Sequence, residues 1–185
     1  MCQSLRAIET LALAIDARKG GHLPRIEALA LEIGRRLHWN EAELAALRAA
    51  ALLHDAGELA VPQHLVGIPG GATPGSATPE ESEKNQAHPA VGSAMAAHMG
   101  LSDAVAAMIR SHHERWDGHG YPDGLQGHAI PVGSRILAVA DCLARLAPEH
   151  ALEALRRGSG AAFDPDLARL ASDHLADLER VARPQ

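Results

Sequence analysis

Aromatic side chains are nearly absent from this sequence, and their scarcity restricts the kind of core that the chain can build. Hydrophobic residues make up 46% of the 185 residues, but aromatic residues only 2%. The core must therefore consist of Ala, Leu, Val and Ile, which suit closely packed helices better than a sheet. We predict an all-α protein with a single domain over residues 1–185, long enough to bury a substantial core.

The spacing of apolar residues predicts helices along most of the chain. The predicted helices cover residues 4–17, 22–37, 41–55, 80–99, 102–114 and 131–146, with two shorter helices at the end. Asn40, Ser102 and Asp164 are the predicted N-caps, and the Pro- and Gly-rich stretch 60–79 is a predicted solvated loop. We divide the domain into an N-terminal helix and turn (1–21), a core (22–170) and the tail of the last helix (171–185).

The charge and the cysteine content exclude several functional classes. A net charge of −6 argues against a DNA or RNA partner, which needs clustered Lys and Arg. No apolar run approaches the roughly 20 residues of a membrane span. Two cysteines, Cys2 and Cys142, cannot form a disulfide framework and fit a reducing compartment. We therefore expect a cytoplasmic protein that acts without a membrane.

Two carboxylates stand where a cation is needed. Asp55 follows the inward-facing His54 at a predicted helix C-terminus, where the helix dipole disfavours negative charge. Asp141 follows the apolar run from Ile136 to Ala140, and burial of an unpaired carboxylate there would cost several kcal/mol. Either a metal ion or a base such as Arg135 could compensate Asp141, and the sequence alone leaves both alternatives open.

Histidines on or near predicted helices strengthen the metal interpretation. Five imidazoles and two carboxylates suit two transition ions such as Fe, Mn or Zn and are too rich in nitrogen for Mg or Ca. The candidate ligands are His22, His54, Asp55, His88, His112, His113 and Asp141.

Several of these residues lie in motifs that closely resemble the HD-GYP subfamily of HD-domain phosphohydrolases. The two strongest motifs are His54-Asp55-Ala56-Gly57 and HHERWDGHGYPDGL, which runs from His112 to Leu125. Further matches are HLPRI from His22, His88-Pro89, IPVGSRILAVAD from Ile130, and GSGAAFDP from Gly158. The resemblance extends from about His22 to Leu170, and the long second motif is specific.

The resemblance implies a helical bundle of about seven helices with a GYP loop and a dinuclear metal centre that hydrolyses cyclic di-GMP. One ion would bind His22, His54, Asp55 and Asp141, and the other Asp55, His88, His112 and His113. Some family members bind a third ion through a Glu four residues before the first His. Arg18 stands there in this chain, so we expect two ions, with Fe or Mn favoured and Zn also acceptable.

The expected mechanism is metal-assisted hydrolysis, in which a hydroxide that bridges the two ions attacks phosphorus. Two divalent ions would outweigh the charges of Asp55, Asp141 and the hydroxide. The centre would then stay positive toward a phosphodiester anion in spite of the acidic exterior.

The GYP loop has two interpretations. It could pack Trp116 and Tyr121 against the helices, and in the family it also flanks the site and has been linked to diguanylate cyclase partners. The loop residues that we predict to meet substrate or partner are Asp117, Gly118, Gly120, Tyr121 and Pro122.

The chain departs from the family pattern at three places near the predicted substrate. Glu58 replaces a Lys that helps to hold the phosphate or the nucleophile, and Ala144 replaces an Asp. An Arg-Pro-Tyr-Arg stretch that follows in the family is missing after Leu146. A unit charge about 6 Å away is worth roughly 3 kcal/mol at an effective dielectric near 20, so Glu58 would weaken phosphate binding unless it turns to solvent or pairs with a base such as Arg115.

Three functional hypotheses follow. The first is a metal-dependent phosphodiesterase that acts on cyclic di-GMP or a related phosphoester, with Asp55 and Glu58 at the catalytic positions. The alternative is a catalytically weak metal-binding module that signals or interacts through the same fold. A third is a phosphohydrolase of a different nucleotide phosphate.

Overall fold

Eight α-helices are present in the part of the chain that this computed structural model describes, against about seven expected. The described residues are Thr10, Ala12, Leu13, Asp16 and the ranges 21–60 and 86–182. The helices are α1 (Leu23–Arg36), α2 (Glu41–Leu53), α3 (His88–His98), α4 (Asp103–Arg110), α5 (Val132–Arg145), α6 (Pro148–Gly158), α7 (Pro165–Asp173) and α8 (Leu175–Val181). Two 3-10 turns are Ala56–Ala60 and Gly127–Ala129. Within these ranges the only β-type pairing is an isolated bridge, so the all-α prediction is confirmed.

The three predicted helix caps are confirmed. Asn40 accepts hydrogen bonds from two backbone N–H groups of the first turn of α2, and Glu43 accepts one from the backbone N–H of Asn40. Ser102 accepts from the backbone N–H of Val105, and Asp164 caps α7 in the same way. Each cap satisfies N–H groups that have no partner within the helix.

Several helix ends differ from the predictions. α2 ends at Leu53, two residues before the predicted Asp55, and α4 ends at Arg110 instead of Glu114. The His112 ring bonds the carbonyl of Ile109, which a longer α4 would pair with the backbone N–H of residue 113. Three helices instead of two end the chain, because the backbone leaves the helical region between α7 and α8.

Some predicted segments fall outside the described residues. These are most of the first predicted helix, Arg18, Cys2, the loop from 61 to 79, and the start at Glu80 of the helix that is described as α3. The four described residues before Gly21 are all helical.

Helix α1 lies at the centre of the core and packs against both α2 and α5. Its residues Ile26, Leu29 and Ile33 are fully buried and share one face of the helix. Helices α3 and α4 pack on each other, and α4 also contacts α2. As the composition predicts, no aromatic side chain is found among the buried hydrophobic residues of the described chain.

The end of the described chain returns to α1. Arg25 pairs with Glu179 at 2.8 Å, and Arg36 pairs with Asp177 at 3.1 Å, so α8 is fixed along the outer side of α1. The predicted tail 171–185 thus contains a separate packed helix. Among the described residues, no helix combines the length and the apolar character that crossing a membrane requires.

Candidate metal centre

All seven predicted ligands come together in two adjacent groups. In each group the candidate ligand atoms lie within 4.8 Å of one another. The first group is His22, His54 and Asp141, and the second is Asp55, His88, His112 and His113. The family resemblance places Asp55 with both groups. Its Oδ1 atom lies 3.4 Å from His54 Nε2 and 3.7 Å from His88 Nε2, so it stands between them.

Most of these side chains project from helix ends. His22 is the N-cap residue of α1, His54 follows α2, and His88 begins α3. The prediction that His112 and His113 lie on a helix is wrong, because both occupy the turn after α4. The His112 ring hydrogen-bonds to the Ile109 carbonyl, which the backbone N–H of His113 would need if the helix continued, so the helix gives way to a turn.

Gly57 allows the turn after Asp55 to approach α3. A β-carbon at position 57 would collide with the carbonyl oxygen of His88 and lie 2.6 Å from the backbone nitrogen of Gly92. Only a residue without a side chain fits at this backbone contact. The close approach holds Asp55 and His88 in one site although 32 residues of sequence separate them.

Three histidines have their Nδ1 atoms held by oxygen acceptors. His54 Nδ1 lies 2.8 Å from the carbonyl oxygen of Ala51, and His112 Nδ1 lies 2.6 Å from that of Ile109. His22 Nδ1 lies 2.7 Å from a carboxylate oxygen of Asp16. A carbonyl or carboxylate oxygen requires a proton on Nδ1, so each neutral ring offers the lone pair of Nε2 to the site.

The Nε2 atoms of His54 and His112 face a carboxylate in a way that calls for a cation. They carry the lone pairs that the Nδ1 contacts leave, and they lie 3.4 and 3.7 Å from Asp55 Oδ1. His54 Nε2 is buried and has no hydrogen-bond partner among the described residues. Lone pairs and carboxylates that converge at this density repel unless positive charge lies between them. The residues therefore fit divalent metal ions.

Burial favours the neutral form of two candidate ligands, His54 and His113. It lowers the pKa of His54 below its ordinary value, and the neighbouring His112 acts in the same direction. Burial also lowers the pKa of His113 well below its ordinary value, reinforced by His112 and His88. Near neutral pH both rings are unprotonated, which is the form that binds a metal.

Asp16 is a site residue that the sequence analysis missed. Its carboxylate is buried, bonds His22 Nδ1, and accepts hydrogen bonds from the backbone N–H groups of His22 and Leu23 at 3.1 and 2.8 Å. A carboxylate behind a ligand histidine fixes the ring orientation and raises its basicity. Asp16 thereby positions His22 and caps α1.

We predict that Asp16→Asn weakens metal binding at the His22 group by about 10- to 100-fold, the range found for such supporting partners. The neutral amide is a poorer acceptor for His22 Nδ1–H, although it can still accept from a backbone N–H. Metal titration of the full chain measures the effect. Asp166→Asn, at an exposed carboxylate, is the matched control, and equal affinities in the two variants would contradict the role of Asp16.

Asp141 is paired with a base, one of the two alternatives that the sequence left open, and the base is Arg145. Arg145 Nε donates to Asp141 Oδ1 at 2.6 Å, and Arg145 also lies 3.8 Å from Asp55. The alternative that Arg135 pairs with Asp141 is wrong, because Arg135 donates to Asp164 at 2.6 Å. Arg135 precedes Asp141 by six residues, about 240° around the helix, whereas Arg145 follows by four and shares its face.

The GYP loop packs directly on the candidate ligands. The Tyr121 ring stacks on the His113 ring with 4.9 Å between centroids, and the backbone N–H of Tyr121 donates to the carbonyl of His113. Buried Glu114, whose role the sequence analysis missed, accepts from the backbone N–H groups of Asp123 and Leu125. The packing interpretation of Tyr121 is thus correct, and Glu114 anchors the far side of the loop.

Comparison with known proteins identifies the family. The family model for the HD domain matches residues 7–167. The chain belongs to the HD-domain family. Its motifs place it in the HD-GYP subfamily, in agreement with the sequence analysis.

This HD domain is similar to curated bacterial phosphodiesterases. It is 34% identical to "Cyclic di-GMP phosphodiesterase response regulator RpfG" of Xanthomonas campestris pv. campestris, an alignment that covers 94% of this chain and 49% of the relative. It is 29% identical to "3'3'-cGAMP-specific phosphodiesterase 2" of Vibrio cholerae, over 92% of this chain and 35% of the relative. The chain thus spans half or less of the length of these relatives.

Solved structures share the fold of this HD domain. The cyclic GMP-AMP specific phosphodiesterase V-cGAP3 of Vibrio cholerae aligns with a TM-score of 0.75 and 26% identity, over 96% of this chain and 49% of that one. Bd1817, an HDG"Y"P protein from Bdellovibrio bacteriovorus, has a TM-score of 0.67 at 20% identity and shows the same fold.

Glu58 of this HD domain follows the candidate ligand Asp55 by three residues. It is half-buried in the 3-10 turn, and its backbone N–H donates to the carbonyl of Asp55 at 3.0 Å. Arg115, considered as its partner in the sequence analysis, pairs with Asp117 at 2.6 Å. The backbone of Glu58 is therefore fixed one turn beyond Asp55.

Proposed function

We propose that this HD domain is a metal-dependent phosphodiesterase that hydrolyses a cyclic dinucleotide. The observation that carries the proposal is the pair of ligand groups on either side of Asp55. When bound, two transition-metal ions supply Lewis-acid activation of a water and of the phosphate oxygens. Fe and Mn are the favoured ions, and Zn is also acceptable to this ligand set.

The protein's own part in the reaction is to hold the ligands in place. Asp55 would be shared by both ions, and the carbonyl and carboxylate partners of His22, His54 and His112 would keep their Nε2 atoms directed at the centre. A small cavity beside α1 reaches a member of each group. Its lining includes Asp16, His22 and Asp55.

The names of the relatives support two cyclic dinucleotides as candidate substrates. A relative named for cyclic di-GMP is 34% identical over 94% of this chain. Two relatives named for 3'3'-cGAMP are 29% identical over 92% and 33% identical over 74% of it. We propose cyclic di-GMP as the principal substrate because the relative named for it has the higher identity. Both nucleotides are diesters of the same charge and present the same bond to the metal centre.

The test is an anaerobic hydrolysis assay of the full chain after reconstitution with Fe²⁺, Mn²⁺ or Zn²⁺. Cyclic di-GMP and 3'3'-cGAMP are supplied separately, and the linear and mononucleotide products are separated by chromatography. We expect turnover with Fe²⁺ or Mn²⁺ and faster turnover of cyclic di-GMP. Stoichiometric metal without product from either nucleotide would reject the enzymatic function and leave the metal centre intact.

The second candidate function is a metal-binding signalling module with weak catalysis, and Glu58 favours it. An anion in place of a phosphate-holding lysine opposes the approach of the substrate. The missing Arg-containing stretch after Leu146 removes further positive charge from the substrate side.

Glu58→Lys distinguishes these two functions. Reversal of the charge beside Asp55 should lower the KM for cyclic di-GMP by at least about tenfold, because unit charges at this range interact by a few kcal/mol. Metal content should stay unchanged, since Glu58 belongs to neither ligand group. Glu153→Lys, on the exposed face of α6, controls for net charge. An unchanged KM would show that Glu58 does not limit substrate binding.

We further propose the GYP loop as the contact surface for a diguanylate cyclase partner. Glu114 and Tyr121 fix the inner side of the loop, whereas the His119 side chain is 83% exposed. Binding of a purified diguanylate cyclase domain to the wild-type chain but not to His119→Glu would support this surface. Equal binding by both proteins would reject it.

A further inference from the structure

The guanidinium group of Arg145 lies among the candidate metal ligands. Its Nε donates to Asp141 Oδ1 at 2.6 Å, and its Nη2 lies 3.5 Å from His22 Nε2. The same Nη2 is 3.8 Å from Asp55 Oδ2. Arg145 ends α5, one helical turn after Asp141, and its side chain is about half exposed at 47%.

The atoms that Arg145 contacts are those that a metal ion would use. Asp16 holds Nδ1 of His22, so His22 Nε2 carries the lone pair and accepts from the guanidinium. Asp141 Oδ1 is the second acceptor. A donor N–H and a metal ion cannot share one lone pair, and their positive charges repel at this distance. Arg145 in this position and an ion in the His22–His54–Asp141 group therefore exclude each other.

The guanidinium stays charged in this environment. Burial alone would lower the pKa of Arg145, but Asp141 and Asp55 raise it above its ordinary value. The arginine thus brings a permanent positive charge to the first group, because the guanidinium does not lose its proton near neutral pH.

The second ligand group, Asp55, His88, His112 and His113, has different neighbours. Its histidines contact one another and Tyr121, with ring centroids 4.1 to 5.3 Å apart for the His88, His112 and His113 pairs. The Oδ1 atom of Asp55 faces these rings, while the opposite oxygen, Oδ2, faces Arg145 at 3.8 Å. Arg145 thus contacts ligand atoms of the first group directly and would hinder metal binding there. It reaches the second group only through its contact with Asp55.

We propose that Arg145 is an internal cation that competes with the metal ion of the His22–His54–Asp141 group. The two metal positions then have unequal affinities. The Asp55–His88–His112–His113 position fills first, and the other fills at a higher metal concentration, when the ion displaces the guanidinium toward solvent. This inference rests on the proposed metal centre and adds an order of loading to it.

The competition can be measured by titration of the chelator-treated full chain with Mn²⁺, followed by calorimetry and by electron paramagnetic resonance. For the wild type we expect two binding steps of unequal affinity. Arg145→Gln removes the charge but keeps a polar side chain, and should raise the affinity of the weaker step by at least about tenfold. Arg145→Lys keeps the charge. Its affinity for Mn²⁺ in the weaker step should equal that of the wild type or lie between those of the wild type and Arg145→Gln.

Arg157→Gln is the matched control. Arg157 stands in the last turn of α6 and pairs with Glu153 four residues earlier at 2.6 Å, the same arrangement as Arg145 and Asp141 but on the exposed surface. Its loss should change neither step. Circular dichroism on each variant identifies any effect that arises from unfolding.

Each outcome has a separate meaning. The proposed competition would be overturned if the two Mn²⁺ affinities of Arg145→Gln differ as much as those of the wild type, or if this variant binds Mn²⁺ more weakly. Either result would leave the proposed metal centre intact. No Mn²⁺ bound to the wild type or to either variant would overturn the metal centre itself, and the competition with it.

Discussion

Asp55→Ala should abolish the proposed dinuclear centre while the helical bundle stays folded. Asp55 Oδ1 lies 3.4 Å from His54 Nε2 and 3.7 Å from both His88 Nε2 and His112 Nε2, so its loss affects both ligand groups. We expect bound metal to fall from two ions to at most one per chain. Hydrolysis of cyclic di-GMP should fall by at least about 1,000-fold, because activation of the water and of the phosphate depends on both ions.

Elemental analysis and the anaerobic assay measure the two effects, and chelation of the wild type should reproduce the loss of activity. Asp173→Ala, which removes an exposed carboxylate from the end of α7, is the control and should retain two ions. If Asp55→Ala keeps two ions and normal turnover, Asp55 does not join the two groups.

Gly57→Ala should damage both stability and metal binding. The added β-carbon would collide with the carbonyl oxygen of His88, and backbone cannot move aside as a flexible side chain can. Relief requires the 3-10 turn and α3 to separate, at a cost of about 3 kcal/mol. For a chain of this length, that cost corresponds to a fall in Tm of roughly 6–12 °C. Because Asp55 lies on one side of the contact and His88 on the other, the second group loses its geometry.

Thermal denaturation and metal titration test this prediction together. Gly100→Ala is the control, since Gly100 has a left-handed φ of 74° but no atom within 4 Å of the added carbon. It should cost about 1–2 kcal/mol through backbone strain and leave metal binding unchanged. A Gly57→Ala protein with normal metal content would show that the close approach of the turn to α3 is not required for the site.

The sequence was most informative where the structure depends on local contacts. Asn40, Ser102 and Asp164 cap helices through hydrogen bonds that reach two or three residues, so their sequence neighbours suffice to predict them. The adjacent pairs His54-Asp55 and His112-His113 are recognisable for the same reason. Their motif could be matched without any knowledge of the tertiary structure.

The sequence was less informative about the partners that hold the ligands. The contact of Asp16 with His22 depends on where the chain before α1 is placed, and apolar spacing gives no rule for that. The end of α4 depends on competition between the His112 ring and the helix backbone, which propensities do not contain. Arg145 was predictable, because residues four apart on a helix face each other, and the pairing with Asp141 follows from that spacing.

The stacking of Tyr121 on His113 gives the protein a built-in spectroscopic probe. Tyr121 is the only tyrosine among the 185 residues, and its ring lies against a candidate ligand with an interplanar angle of 26°. An isotope or fluorine label on tyrosine therefore yields a single resonance at the edge of the centre. Paramagnetic ions would broaden that signal as they bind, so the loading of the neighbouring position can be followed in solution without a change to any other residue.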